Sequence, residues 1–280
     1  IQHADVRRML LWMKAHVEGF RALTYYTAYC EDIVHASADE AHRDKCKGII
    51  EVLTPIVKAY CSDVAFKVTE LAIQTYGGYG YCSEYPVEQF MRDLKIASIY
   101  EGANGIQALD LVGRKLGMKK GLYFMSLLGE MNATVAAYQG NAALKDLAAD
   151  VQKAANTLAE MAMYFAGSAK AGKFMIPVGN AYPFLMLMGK VVMAWLLLWE
   201  SGVAREKLEG IASGRGIDLS DGAKVSALAK ADADAAFYIG KVSAARYFIK
   251  HVLPEVDAAV TSIKSEDLSM IDIPEEAFAS

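Results

Sequence analysis

Proline is scarce: the chain carries 6 in 280 residues, about 2% against a usual level of about 5%. Collagen-like and proline-rich linker architectures are excluded, and long uninterrupted helices are favoured. Cysteine is sparse too. Cys30, Cys46, Cys61 and Cys82 stand far apart with no Cys-x-x-Cys pair, so neither a zinc ribbon nor a thioredoxin-type site is encoded. Four cysteines at this length do not make a disulfide-stapled secreted scaffold, which predicts free thiols in a reducing, cytoplasmic setting. Positive charge shows no excess, the formal net charge being −4. Without a basic stripe, a nucleic-acid partner lacks its electrostatic footprint. There is no phosphate-binding glycine loop and no Gly-x-Ser-x-Gly, so a nucleophile-based hydrolase has no support. The opening residues IQHADVRRML contain no signal-peptide core and no initiating Met, and read as the interior of a longer chain.

What is present is helical. Hydrophobic residues make up 54% of the chain and charged residues 22%, a globular balance that excludes global disorder. Met9, Leu10, Met13, Val17, Phe20 and Leu23 recur at three and four, predicting a first helix over about residues 5–35. Ser37 and Glu40 fit a capping box opening a second helix, which Pro55 must kink or end. An amphipathic run reaches Gln74 and stops at the glycines 77–80. Pro86 starts a helix lasting to about Ser98, and a short break at 101–104 leads into another ending near Leu116. Beyond Gly117 the texture becomes rich in Ala and Met, predicting helices at about 121–138, 141–171, 183–209 and 223–253. No stretch alternates with period two for long. The expected fold is all-α, with one helical domain over 1–120 and a second, antiparallel helical domain over 121–280. Residues 181–199 form an apolar run interrupted only by Lys190. It is long enough to span a bilayer. Pro183 at its start, the central Gly189-Lys190 and the lack of a second such run predict instead the buried middle helix of a bundle.

Candidate chemistry is thin outside one segment. His35, Asp39 and His42 have ligand-like spacing, but the predicted cap breaks the helix between them, so no metal site is expected. His3, His16 and His251 have no evident local partner. Residues 74–107, QTYGGYGYCSEYPVEQFMRDLKIASIYEGANGIQ, place two glycine clusters around a helix. Gly77 and Gly78 at a helix end permit positive φ and close approach of a ligand. Glu101-Gly102 presents a carboxylate from a tight connection beside the unpaired amides of the next helix. On pattern alone these are equally an ordinary glycine loop and an exposed loop acid.

Taken jointly, Gln74–Tyr81, Glu84-Tyr85-Pro86, Met91-Arg92-Asp93 and Ile99-Tyr100-Glu101-Gly102 resemble the C-terminal helical domain of the acyl-CoA dehydrogenase family. The opening Gln2–Leu10 and the closing Pro274–Phe278, reading PEEAF, resemble its 3-methylmercaptopropionyl-CoA dehydrogenase-like branch. That branch extends the domain with further helices. The resemblance implies an N-terminal helical domain and a middle β-domain that this sequence does not contain. It implies an FAD-dependent oxidoreductase of fatty acid metabolism acting on an acyl-CoA substrate, with an electron-transfer flavoprotein-type acceptor, as a homodimer or homotetramer. Glu101 is implied as the catalytic base, with Glu101 and Gly102 at the thioester. Gln74, Gly77 and Gly78 are implied to hold the adenine-diphosphate end of FAD across a subunit boundary. The family's Glu-Gly-Thr-x-Gln pattern here reads Glu101-Gly102-Ala103-Asn104-Gly105, which leaves Asn104 as the side chain available for a cofactor contact. Tyr76, Tyr79 and Tyr81 are expected to pack at the helix end, and Arg92-Asp93 to pair internally. The broad apolar faces of 56–71 and 105–116 predict a subunit interface. Two alternatives remain: an acyl-CoA oxidase-type enzyme, and a non-catalytic helical oligomerisation module when the chain is isolated.

Overall fold

The computed structural model describes residues 1–279. They are helical throughout, with no strand among the described residues. Helix α1 spans Ala4–Ala36 and α2 Glu40–Pro55. A π-helical turn, Ile56–Tyr60, joins α2 to α3, Cys61–Tyr76. Then come α4, Val87–Lys95, and α5, Asn104–Gly113. The second segment comprises α6, Leu122–Tyr138; α7, Lys145–Lys170; α8, Met175–Gly179; and α9, Ala181–Gly214. It closes with α10, Gly222–Ala231; α11, Ala233–Tyr247; α12, Glu255–Lys264; and α13, Ser269–Asp272.

Three local expectations are corrected, each because an aspartate or a proline acts differently from the pattern. Asp39, not Ser37, caps α2: its carboxylate accepts from the amides of Ala41 and His42 at 2.9 and 3.2 Å. Ser37 instead closes α1 and accepts from the Asp39 amide. The helix expected over 223–253 is broken at Asp232. That residue is extended and accepts from the Ala235 amide, capping α11, because a short carboxylate competes with the helical ladder for backbone donors. At Pro55 no new helix begins: the backbone stays helical through the proline. Proline has no N–H to donate, and just beyond it the ladder widens into the π-turn before resuming as α3.

Helix α9 is the axis of the fold. By length and composition it could cross a membrane, but 78% of its apolar window is buried inside the chain. Helices α1, α5, α7, α11 and α12 surround it. Its one charge in the window, Lys190, reaches the edge and pairs with Glu255 of α12 at 2.9 Å. The core is continuous across both segments. Leu53, Ile56, Tyr60 and Leu111 from the first lie in one cluster with Met188, Val192 and Trp195 from α9. The apolar face of 105–116 is therefore largely covered by α9, and that of 56–71 by α9 at the π-turn and by α1 and α4 along α3, while on α5 outer residues such as Ile106 and Leu109 stay exposed. Contact between the π-turn and α9 is close. A Cβ on Gly189 would stand 2.3 Å from the Tyr60 ring, and Tyr60 is fully buried. Replacing Gly189 by Ala should therefore cost about 1–3 kcal/mol through overpacking, read as a lower urea midpoint with an unchanged slope.

His16 is not partnerless, as its sequence neighbourhood suggested. It is buried on α1. Its Nδ1 lies 2.8 Å from the Trp12 carbonyl, so this nitrogen carries the proton and donates. The ring lies tilted against Trp12 at 3.7 Å and meets Phe248 edge-on at 5.1 Å. Burial pushes its pKa down to about 4 from 6.5. The unfolded chain thus binds this proton first as pH falls. The associated stability is complete above pH 6.5 and is lost between about 6.5 and 4, amounting to about 3 kcal/mol. Urea titrations across that range should show the loss, and the part that vanishes in His16→Leu belongs to the histidine.

Candidate functional site

Two places on the first segment carry the expected site residues, and α3 separates them. At the far end of α3, Gln74 is exposed on the last turn, and its side chain makes no hydrogen bond among the described residues. Gly77 follows as the cap, with φ 62° and ψ −145°, a conformation essentially reserved for glycine. Its amide donates to the Gln74 carbonyl. No atom lies within 4 Å of where a Cβ on Gly77 or Gly78 would stand. A ligand can approach this backbone directly, so the turn fits the diphosphate end of a dinucleotide. Tyr76 and Tyr79 contact Tyr85 at ring distances of 5.8 and 5.6 Å, whereas Tyr81 is 86% exposed.

Glu101 lies on the connection into α5. Glu101 and Gly102 are both left-handed, with φ 55° and 83°. The Glu101 carbonyl accepts from Gln107 Nε2 at 3.3 Å. Glu101 lines a cleft of about 280 Å³ with Phe20 of α1, Val57 and Lys58 of the π-turn, Cys61, Ser62 and Ala65 of α3, and Leu94, Ala97 and Tyr100. The wall is mainly apolar. From Ala65 to Gln74 the axis of α3 advances roughly 14 Å, so the two places meet different parts of any shared ligand. A larger cleft of about 710 Å³, between α1, α9 and α11 and lined by Tyr25, Tyr29, Trp199 and Phe237, contains none of the expected residues.

Asn104 does not face a ligand. It is 5% exposed and both polar atoms of its side chain are engaged within the chain. Its amide donates to the Ala59 carbonyl at 3.2 Å and to Ser62 Oγ at 2.9 Å, and its oxygen accepts from Lys58 Nζ at 2.7 Å. A reading of Asn104 as a cofactor contact thus gives way to one as a tether. Arg92 and Asp93 are exposed on α4 and form no ion pair among the described residues, since adjacent helical positions point apart. His35 ends α1 against Glu31 at 2.9 Å, while Asp39 caps α2. Among the described residues no group of His, Cys, Asp and Glu is arranged to hold a metal. Lys58 and Gln107 were missed in the sequence. The only available signal for Lys58 was a proline inside a long helical pattern three residues earlier.

An all-α bundle with a carboxylate on a left-handed turn beside an apolar cleft, and an open glycine cap one helix away, defines the class. Residues 1–117 match the model described as acyl-CoA dehydrogenase, C-terminal domain, and residues 127–274 the model described as acetyl-CoA dehydrogenase C-terminal like. The chain belongs to the acyl-CoA dehydrogenase family. It is 34% identical to a butyryl-CoA dehydrogenase of Syntrophomonas wolfei, over 99% of this chain and 42% of that one. To a 3-methylmercaptopropionyl-CoA dehydrogenase of Ruegeria pomeroyi it is 36% identical, over 97% and 42%. The chain therefore spans less than half the length of these relatives. Its fold matches that of Caenorhabditis elegans ACDH-11 in complex with C11-CoA, with a TM-score of 0.65 at 16% identity, covering 93% of this chain and 40% of that one. An acyl-CoA dehydrogenase complexed with FAD from Bacillus anthracis matches with a TM-score of 0.57 at 17% identity, covering 95% and 49%.

The two cap glycines should respond differently to a methyl group. Gly77→Ala should cost about 1–3 kcal/mol from backbone strain alone, whereas Gly78→Ala should stay within about 0.5 kcal/mol. Urea denaturation of both variants checks the contrast.

Proposed function

We propose that the protein containing this chain is an FAD-dependent acyl-CoA dehydrogenase that introduces an α,β double bond into an acyl-CoA thioester. The observation carrying this is Glu101, held on a left-handed turn as the one carboxylate lining a cleft with an otherwise largely apolar wall. A carboxylate becomes a competent base toward a carbon acid when apolar groups displace its water. Glu101 is exposed in this chain, so that enclosure is completed by substrate, cofactor and the domains the longer relatives possess. Glu101 takes the α-proton, and its backbone amide donates to the thioester carbonyl, stabilising the charge that develops there. Gly102 lies beside it at the thioester. FAD, when bound, accepts the β-hydrogen as hydride. Gln74, Gly77 and Gly78 hold the adenine-diphosphate end, supported by the unpaired amide of Gln74 and the open backbone beside it.

Further parts of the proposal rest on other features. Assembly as a homodimer or homotetramer is supported by the exposed apolar residues Phe90, Ile96, Ile99, Ile106 and Leu109 around the site, which a subunit or domain contact would cover. A reducing, cytoplasmic setting is supported by four free thiols. An electron-transfer flavoprotein-type acceptor and a role in fatty acid metabolism accompany the dehydrogenase chemistry.

The test is anaerobic bleaching of the flavin by a panel of acyl-CoA thioesters in the intact protein. Glu101→Gln should retain bound FAD and lose about 10²–10⁴-fold or more in rate. Bleaching near the wild-type rate in that variant overturns the assignment. Peroxide formed at every turnover in air indicates the oxidase form, and an intact protein without flavin indicates the assembly module.

A further inference from the structure

We infer that Asn104 is the positioning residue for Glu101, clasped to the π-turn so that the base keeps its place in the cleft; this rests on Glu101 being the base. Glu101 and Gly102 form two consecutive left-handed residues, and a non-glycine residue stays in that region only where its surroundings over-determine it. Two tethers are present. Gln107 holds the Glu101 carbonyl by one exposed contact at 3.3 Å, near the limit for a hydrogen bond. Asn104 is buried and makes three bonds, all to residues 42–46 positions away in sequence.

The π-turn makes this clasp possible. Widening the ladder turns backbone carbonyls outward toward side-chain donors, and the Ala59 carbonyl accepts from both Asn104 Nδ2 and Ser62 Oγ, each at 3.2 Å. Lys58 completes it. Among the described residues no carboxylate pairs with Lys58, and its ammonium donates to Asn104 Oδ1 at 2.7 Å, a charge-assisted bond stronger than one between neutral groups. Lys58 and Ser62 line the same cleft as Glu101. The clasp therefore fixes the turn to the wall against which the acyl group must lie.

The experiment uses the intact protein loaded with FAD, with Asn104→Ala, Lys58→Met, Lys58→Arg and Glu101→Gln. Three quantities are read: the single-turnover bleaching rate per bound flavin at saturating acyl-CoA, the KM, and amide hydrogen exchange before substrate is added. A displaced base costs up to about 100-fold in rate. Asn104→Ala should thus slow bleaching by about 10- to 100-fold at nearly unchanged KM, with faster exchange confined to residues 99–106. Lys58→Met should slow it in the same direction, and Lys58→Arg, which keeps a donor for the Asn104 oxygen, should restore it. A lower flavin content or thermal midpoint with a wild-type rate per bound flavin overturns the inference. If Asn104→Ala does not fold, the lysine pair decides, and equal rates in Lys58→Met and Lys58→Arg overturn it. A fully active Glu101→Gln overturns the base assignment and this inference together. An inactive Glu101→Gln beside an unimpaired Asn104→Ala overturns the positioning role alone.

Discussion

A helix apolar on nearly every face has to be surrounded, and that requirement organises this molecule. Helix α9 places Phe184, Leu187, Met188, Val191, Val192 and Trp195 in full burial, so no single neighbour can cover it. Helices α7, α11 and α12 cover part of it, while α1, α5 and the π-turn of the first segment cover the rest. Fully burying such side chains contributes about 1.5–3 kcal/mol each, enough for this one interaction to weld two sequence-distinct segments into one core. Polar groups along α9 are placed accordingly. Lys190 escapes to Glu255 at the margin, and Trp195, buried, donates its ring N–H to Thr134 at 2.7 Å.

The candidate site hangs from that core through a short chain of contacts. Gly189 on α9 admits the Tyr60 ring, which seats the π-turn. The π-turn offers Lys58, Ala59 and, just beyond, Ser62 to Asn104. Asn104 begins α5 and ends the left-handed turn that carries Glu101. Each step is a steric fit or a satisfied polar atom, and the path runs from the buried Gly189, Tyr60 and Asn104 out to the surface. Glu101 itself is exposed. A buried support beneath an open carboxylate is the arrangement that a precisely positioned functional group requires.

The glycine cap at Gly77 obeys a different logic. It is set by local backbone geometry, with open space where a side chain on Gly77 would stand, and lies a helix length from the cleft. Its exposure and that of Gln74 suit a ligand long enough to touch both ends of α3, or one reaching in from a neighbouring subunit.

The helical class, most helix limits and the largely buried fate of residues 181–199 were legible in the sequence, which also nominated the candidate residues of the site. Each depends on periodicity, on glycine and proline chemistry, or on a run of residue types at fixed spacing, and these are local properties. Which acid caps α2, why 223–253 breaks at Asp232, and what His16 touches were not legible. They depend on competition between nearby donors and acceptors that only a three-dimensional arrangement resolves. The clearest case is Asn104. Its position in the motif marked it as a cofactor contact, yet its partners lie more than forty residues earlier, on a π-turn that no periodicity announces. The sequence by itself determined the helical class and nominated the residues that could carry chemistry. Tertiary structure decided which of them face outward to use it and which face inward to hold the others in place, because burial and hydrogen-bond satisfaction are properties of the packed chain and not of its order.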